Sequence, residues 1–138
     1  MSRYWLGVVS REHVMRGVSG GFAQVCHGKK APLSKIKRDD WLIYYSPKHN
    51  LGGNQPCRAF TAIGKIKSGE VYQFEMAPTF IPWRLDVDFL SCREVSVSSL
   101  MDKLELTSDK RGWGMKLRRG LVELSEHDFH TIAEAMGL

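Results

Sequence analysis

Residues 41–46 (WLIYYS) form one continuous apolar run of strand length. Such a strand has no solvent side, so both of its faces have to be covered by other parts of the chain. Around it the sequence offers several shorter strands. Residues 4–10 (YWLGVVS) are aromatic and β-branched and read as a first buried strand. Residues 58–67 and 71–76 read as two strands joined as a hairpin around Ser68-Gly69. Residues 83–90 alternate, with Trp83, Leu85, Val87 and Phe89 on one face and Arg84, Asp86 and Asp88 on the other. Val95 and Val97 extend that sheet, and residues 121–124 supply one more short strand.

Helices are few and short. Ser10 is placed to cap a helix running to about Gly17, with Glu12 in its first turn. Residues 18–31 (VSGGFAQVCHGKKA) read as an irregular, glycine-containing segment long enough to be functional, and Pro32 opens a single turn through Ile36. Residues 47–56 (PKHNLGGNQP) are loop by composition. The last element is the clearest. Ser125 caps a helix with Asp128 at its third position, Leu124 and Phe129 have staple spacing, and Phe129, Ile132, Ala133 and Met136 form an apolar stripe ended by Gly137.

Five to seven short strands with small helices at the ends describe an α+β chain built on a small, strongly curved, mostly antiparallel β-barrel. A doubly wound parallel sheet needs long helices between its strands, and the sequence has none to place there. At 138 residues one domain spanning 1–138 is expected. Neither Gly20-Gly21 nor Gly52-Gly53 belongs to a Walker or dinucleotide-binding pattern. The longest apolar runs are far short of a membrane span, and the first residues enter strand-like sequence with no h-region, so a cytoplasmic protein without membrane contact is expected. Cys26, Cys57 and Cys92 are widely spaced and match no regular ligand pattern, so reduced thiols and no metal or cofactor are expected.

Charge is the most informative part of the composition. Residues 1–70 hold twelve Lys and Arg against four Asp and Glu, while residues 71–138 hold eight against eleven. A basic half on a folded domain is the footprint of a phosphate-backbone partner. Residues 22–30 (FAQVCHGKK) add an aromatic ring, an amide, an imidazole and two lysines beside glycines. Gln24 can meet a base edge, rings can stack on an unpaired base, and Lys29 and Lys30 can hold phosphates. Tyr44, Tyr45 and Trp83 are candidate walls for a base pocket. Neighbouring strand residues diverge, so only one of the two tyrosines can line it, and Tyr45 is preferred.

Catalysis has weaker support. Adjacent residues in an extended chain point to opposite sides, so Cys26 and His27 make a poor nucleophile–base pair. Asp86 and Asp88 share a strand face with Arg84, which suits a solvated ion pair as well as an acid–base role. Two other classes stay open: an enzyme acting on a nucleotide or RNA end through His27 or an acidic residue, and a small-molecule sensor or interaction module.

Taken in order, Gly17-Val18, residues 21–29 (GFAQVCHGK), Ala31-Pro32-Leu33, Asp40-Trp41, residues 44–48 (YYSPK), Pro82-Trp83-Arg84, residues 117–125 and Asp128-Phe129 closely resemble the EVE-domain proteins of the UPF0310 type. The resemblance implies a PUA-like fold, similar to YTH domains, and a reader of modified bases in DNA or RNA. It places a base pocket at Ser10, Phe22, Gln24, Cys26, His27, Tyr45, Ser46 and Trp83. Arg16, Lys29, Lys30, Lys48 and Arg58 are the accompanying phosphate-binding candidates. A YTH cage relies on two or three tryptophans. Here Phe22 is the one aromatic in the segment after the first helix, which implies a pocket that depends more on hydrogen bonds.

Overall fold

The computed structural model describes residues 2–109 and 112–138. A curled sheet runs β2 (Phe22–Ala23), β6 (Trp83–Phe89), β4 (Pro56–Ile66), β3 (Trp41–Lys48), β1 (Tyr4–Val8) and β8 (Leu121–Leu124). Two short strands attach to this path: β5 (Tyr72–Gln73) pairs with β6, and β7 (Val95–Ser96) pairs with β4. Among the described residues only β1 and β3 run parallel; the other ladders are antiparallel. The helices are α1 (Arg11–Gly20), α2 (Lys30–Leu33), α3 (Trp113–Leu117) and α4 (Glu126–Ala135). None of the described helices is long and apolar enough to cross a membrane.

As its sequence requires, β3 is buried on both faces. Ile43 and Tyr45 enter one core with Leu6, Phe60, Phe129 and Ile132. Leu42 and Tyr44 enter a second with Trp5, Val14, Val25 and Leu85. Helix α4 covers the first, and its cap forms as its sequence implies: Ser125 Oγ accepts from the Asp128 amide at 3.1 Å. The Asp128 carboxylate then accepts the Glu105 and Leu106 amides, both at 2.8 Å, and ties the preceding loop to the helix start. On the other side of the sheet Asp40 is a similar clip. Its carboxylate accepts the Arg3 amide (2.9 Å), Trp5 Nε1 (3.0 Å) and the Lys37 amide (2.9 Å).

Several local expectations are corrected. The hairpin around Ser68-Gly69 does not form, because β3 takes one edge of β4 and β6 with β7 take the other. The chain after residue 69 therefore pairs with β6 instead. Helix α1 runs to Gly20 rather than Gly17, and Ser10 stands at its N-cap without a side-chain bond. The Glu12 amide, one of the free donors of that first turn, is met by the His49 carbonyl at 2.9 Å. Helix α2 starts at Lys30, ahead of Pro32, which a first turn tolerates. Val97 begins a 3-10 turn and leaves the sheet.

Arg84 is also corrected, since it does not share a solvated face with the aspartates. It is 7% exposed, and Asp86 instead accepts from the Tyr72 hydroxyl at 2.6 Å while Asp88 faces Lys67 at 3.8 Å.

Losing the Asp40 clip leaves a buried indole N–H and two amides without an acceptor. Asp40→Ala is expected to cost about 3 kcal/mol, and Ser125→Ala about 1 kcal/mol. Urea denaturation should show both as lower midpoints at unchanged slope.

Candidate functional site

A cavity of about 630 Å³ opens where the end of β1, the first turns of α1, residues 22–29, the end of β3 and residues 117–120 converge. The fold builds this place through backbone bonds. The Val8 amide donates to the Gly120 carbonyl (2.9 Å) and the Val9 amide to the Tyr45 carbonyl (3.1 Å), so β1 draws both neighbouring segments to its end. Residues 26–28 then turn sharply: Cys26, His27 and Gly28 all have positive φ, at 52°, 60° and 81°. A side chain at Gly28 would collide with Pro82, so only glycine lets the turn press against the start of β6.

The walls are apolar: Val8, Val9, Val25, Phe22, Tyr44 and Leu117 contribute, and Met76 with Phe80 form a lip at the mouth. That lip belongs to a tight hairpin in which the Phe74 amide donates to the Pro82 carbonyl and the Met76 amide to the Phe80 carbonyl, at 3.0 and 3.1 Å. Tyr44 is anchored by its hydroxyl, which donates to the Gln24 carbonyl at 3.2 Å; burial raises its pKa. Ser10 Oγ is buried with no hydrogen-bond partner, and Ser10 lines the cavity. The hydroxyl therefore neither caps α1 nor meets another protein group among the described residues.

Around these walls stand Arg16, Lys29, Lys48, Arg118 and Arg119, with His13 and His27, and no carboxylate among the described lining residues. Arg16 is partly neutralised by Glu12 one turn away (2.8 Å). Gln24 lines the cavity while its Oε1 accepts from Arg84 Nε at 2.5 Å. The Arg84 guanidinium lies between two rings, 3.7 Å from the Phe22 centroid and 4.0 Å from that of Phe74.

Of the residues named from sequence, the structure brings Ser10, Phe22, Gln24, Cys26 and His27 together with Arg16, Lys29 and Lys48. The rest lie elsewhere. Tyr45 points to the opposite core, where its ring meets Phe60 and Trp113. Its strand neighbour Tyr44 takes the place foreseen for it, because alternate residues of β3 face opposite ways. Ser46 is fully buried and its hydroxyl is spent on Thr61 at 2.8 Å. Trp83 is half-buried outside the cavity beneath Lys30, whose Nζ sits 4.7 Å from the ring centroid. Arg58 is exposed on β4, near Tyr45 rather than the cavity.

Sequence reasoning named Tyr44 as a candidate wall but preferred Tyr45, and it missed His13, Arg118 and Arg119. The two arginines sit in the acidic half of the chain, where counting charge by halves hides them; their place beside Gly120 in the tail motif was the available signal.

Cys26 is a poor nucleophile. Its Sγ donates to the Arg119 carbonyl at 3.1 Å, and burial pushes the thiol pKa up against the smaller opposing effect of Lys29 and Lys35. At a given pH less of it is thiolate than in a free peptide thiol. Alkylation of Cys26 by iodoacetamide, followed by peptide mass spectrometry, is expected to stay slower than that of a free peptide thiol through pH 8, and to accelerate at higher pH.

Residues 3–135 match the EVE domain family, so the chain belongs to that family. The UPF0310 protein YdcG of Bacillus subtilis is 52% identical over 137 residues, covering 99% of this chain and 94% of that protein. Among solved structures, the YTH domain of the Zygosaccharomyces rouxii MRB1 protein in complex with N6-methyladenosine RNA superposes with a TM-score of 0.63 at 14% identity, covering 99% of this chain and 85% of that one. The Agrobacterium tumefaciens protein Atu2648 superposes with a TM-score of 0.59 at 13% identity, over 99% and 94%. At such identities these likenesses speak for the fold alone, a curled sheet with short helices of the PUA-like, YTH-type kind that the family resemblance had implied.

Proposed function

We propose that this chain is a non-catalytic reader domain that takes one base of a DNA or RNA strand, a modified base, into the cavity beside α1. The observation that carries the reading is the combination in one place of flat apolar walls, an unpartnered buried hydroxyl at Ser10 and a carboxylate-free basic rim. A volume of about 630 Å³ lies within the range of small-ligand sites. Phe22 and Tyr44 supply surfaces for a ring, Ser10 and Gln24 supply polar atoms, and Lys29, Lys48, Arg118 and Arg119 meet the flanking phosphates. Family membership and the shared fold with a YTH domain bound to N6-methyladenosine RNA support the same assignment. No tryptophan lines the described cavity, so selectivity rests on hydrogen bonds and shape more than on an aromatic cage.

The test is a fluorescence-anisotropy screen of short single- and double-stranded DNA and RNA oligonucleotides, with and without common base modifications, at two salt concentrations. One modified base is expected to bind best, and Ser10→Val is expected to cut that preference while leaving salt-sensitive background binding in place. Equal, weak binding to every oligonucleotide would sink the reading and favour a metabolite ligand.

The basic rim gives a second expectation. Arg118→Glu combined with Arg119→Glu should weaken binding to all sequences alike. The slope of log affinity against log salt should fall by roughly 0.7–0.9 for each phosphate that the variant no longer neutralises.

A further inference from the structure

Resting on the base-binding reading, the surroundings of Gln24 carry a more specific inference about what the cavity selects. A glutamine amide ordinarily has two faces, an oxygen that accepts and a nitrogen that donates, and can rotate to offer either. In this protein Arg84 removes the choice. A guanidinium has five N–H donors and no acceptor, so only the amide oxygen can be turned toward it.

Two further observations fix that arrangement. The Arg84 plane is held between the Phe22 and Phe74 rings, 3.7 and 4.0 Å from their centroids, and the residue is 7% exposed. Asp86 accepts from the Tyr72 hydroxyl and Asp88 faces Lys67, whereas Arg84 Nε is bound to Gln24. Arg84 itself does not line the cavity, whereas Gln24 does. The amide oxygen is taken by Arg84, so the NH2 is the only end of the side chain with a hydrogen-bonding group still to offer.

We propose that Arg84 is a positioning residue that makes Gln24 a dedicated hydrogen-bond donor, so that the site selects a base presenting a keto oxygen, rather than an amino group, to Gln24. An exocyclic keto oxygen projects furthest from the ring and accepts the amide hydrogen. An amino group in the same place sets donor against donor and leaves both unsatisfied in a confined space.

The experiment uses the full chain and oligonucleotides differing at one central base in keto versus amino character: uracil against cytosine, and hypoxanthine against adenine, each plain and modified. The keto member of a pair is expected to bind about tenfold more tightly, the discrimination of one well-placed polar contact. Arg84→Gln frees the amide to rotate and should bring the ratio toward one. Arg84→Lys keeps a donor-only partner and should retain the preference, an outcome that a purely structural role for Arg84 would not give.

Thermal melting of each variant separates misfolding from changed selectivity. If Arg84→Gln fails to fold, Gln24→Glu decides the matter, because a carboxylate satisfies Arg84 yet has no hydrogen to donate, and the keto preference should vanish. A wild-type preference for the amino member, no preference, or an unchanged ratio in Gln24→Glu or a folded Arg84→Gln overturns the proposal while leaving base binding intact. No binding to any oligonucleotide at low salt overturns the base-binding reading and this proposal together.

Discussion

Everything in this fold hangs on a strand that cannot face water. With β1 parallel on one side and β4 antiparallel on the other, β3 satisfies its backbone groups, and its side chains then divide between two separate cores. The division decides where a ligand can go. The side of Ile43 and Tyr45 is filled by α4 and the segment before it. The side of Leu42 and Tyr44 is covered by α1 and α2 with Val25 and Leu85, and the cavity opens at its edge near the end of the strand. Gly7, opposite Tyr44 in the ladder, completes the arrangement: a Cβ there would come within 2.9 Å of the Tyr44 ring, so its absence lets that ring lie across β1 toward the site.

The turn at residues 26–28 is the costly part of the design. Left-handed conformations at Cys26 and His27 each cost of order 1–3 kcal/mol, and the surrounding structure has to hold them. The Val25 carbonyl accepts from the Gly28 amide at 3.0 Å, Cys26 is bound to residue 119, and Gly28 is packed on Pro82. Two chain segments far from it in sequence, around residues 82 and 119, thus clamp one turn. That gives the cavity a preformed wall with little ordering left to do when a ligand arrives.

This also explains what the sequence made legible. Strands β3, β6 and β8 and helix α4 are visible because their patterns are local: an unbroken apolar run, a period-2 alternation, and a capped apolar stripe. The pairing of β5 is not legible, because it depends on which edges of β4 other strands have already taken. Arg84 sits at a position whose alternation marks it as solvated, and only the rings of Phe22 and Phe74, sixty-two and ten residues away, make it a buried one. For the site, the segment 22–29 stands out by its chemistry, but the choice between Tyr44 and Tyr45 needs the sidedness of β3. The contribution of Arg118 and Arg119 needs the crossing of β8 beside β1.

Selectivity in such a site follows from what is left unsatisfied. A buried hydroxyl without a partner, as at Ser10, costs about 1–3 kcal/mol, and in the proposed reading a ligand that supplied a partner would recover it. A ligand of the same shape with an apolar group at that point recovers nothing, and one with a mismatched polar group adds its own penalty. In the proposed reading the basic rim acts differently: charge on Lys29, Lys48, Arg118 and Arg119 would strengthen association with any phosphate backbone and could not tell one base from another. On that reading affinity and discrimination would be carried by separate residues, the first at the surface and open to screening by salt, the second in the interior and largely protected from it.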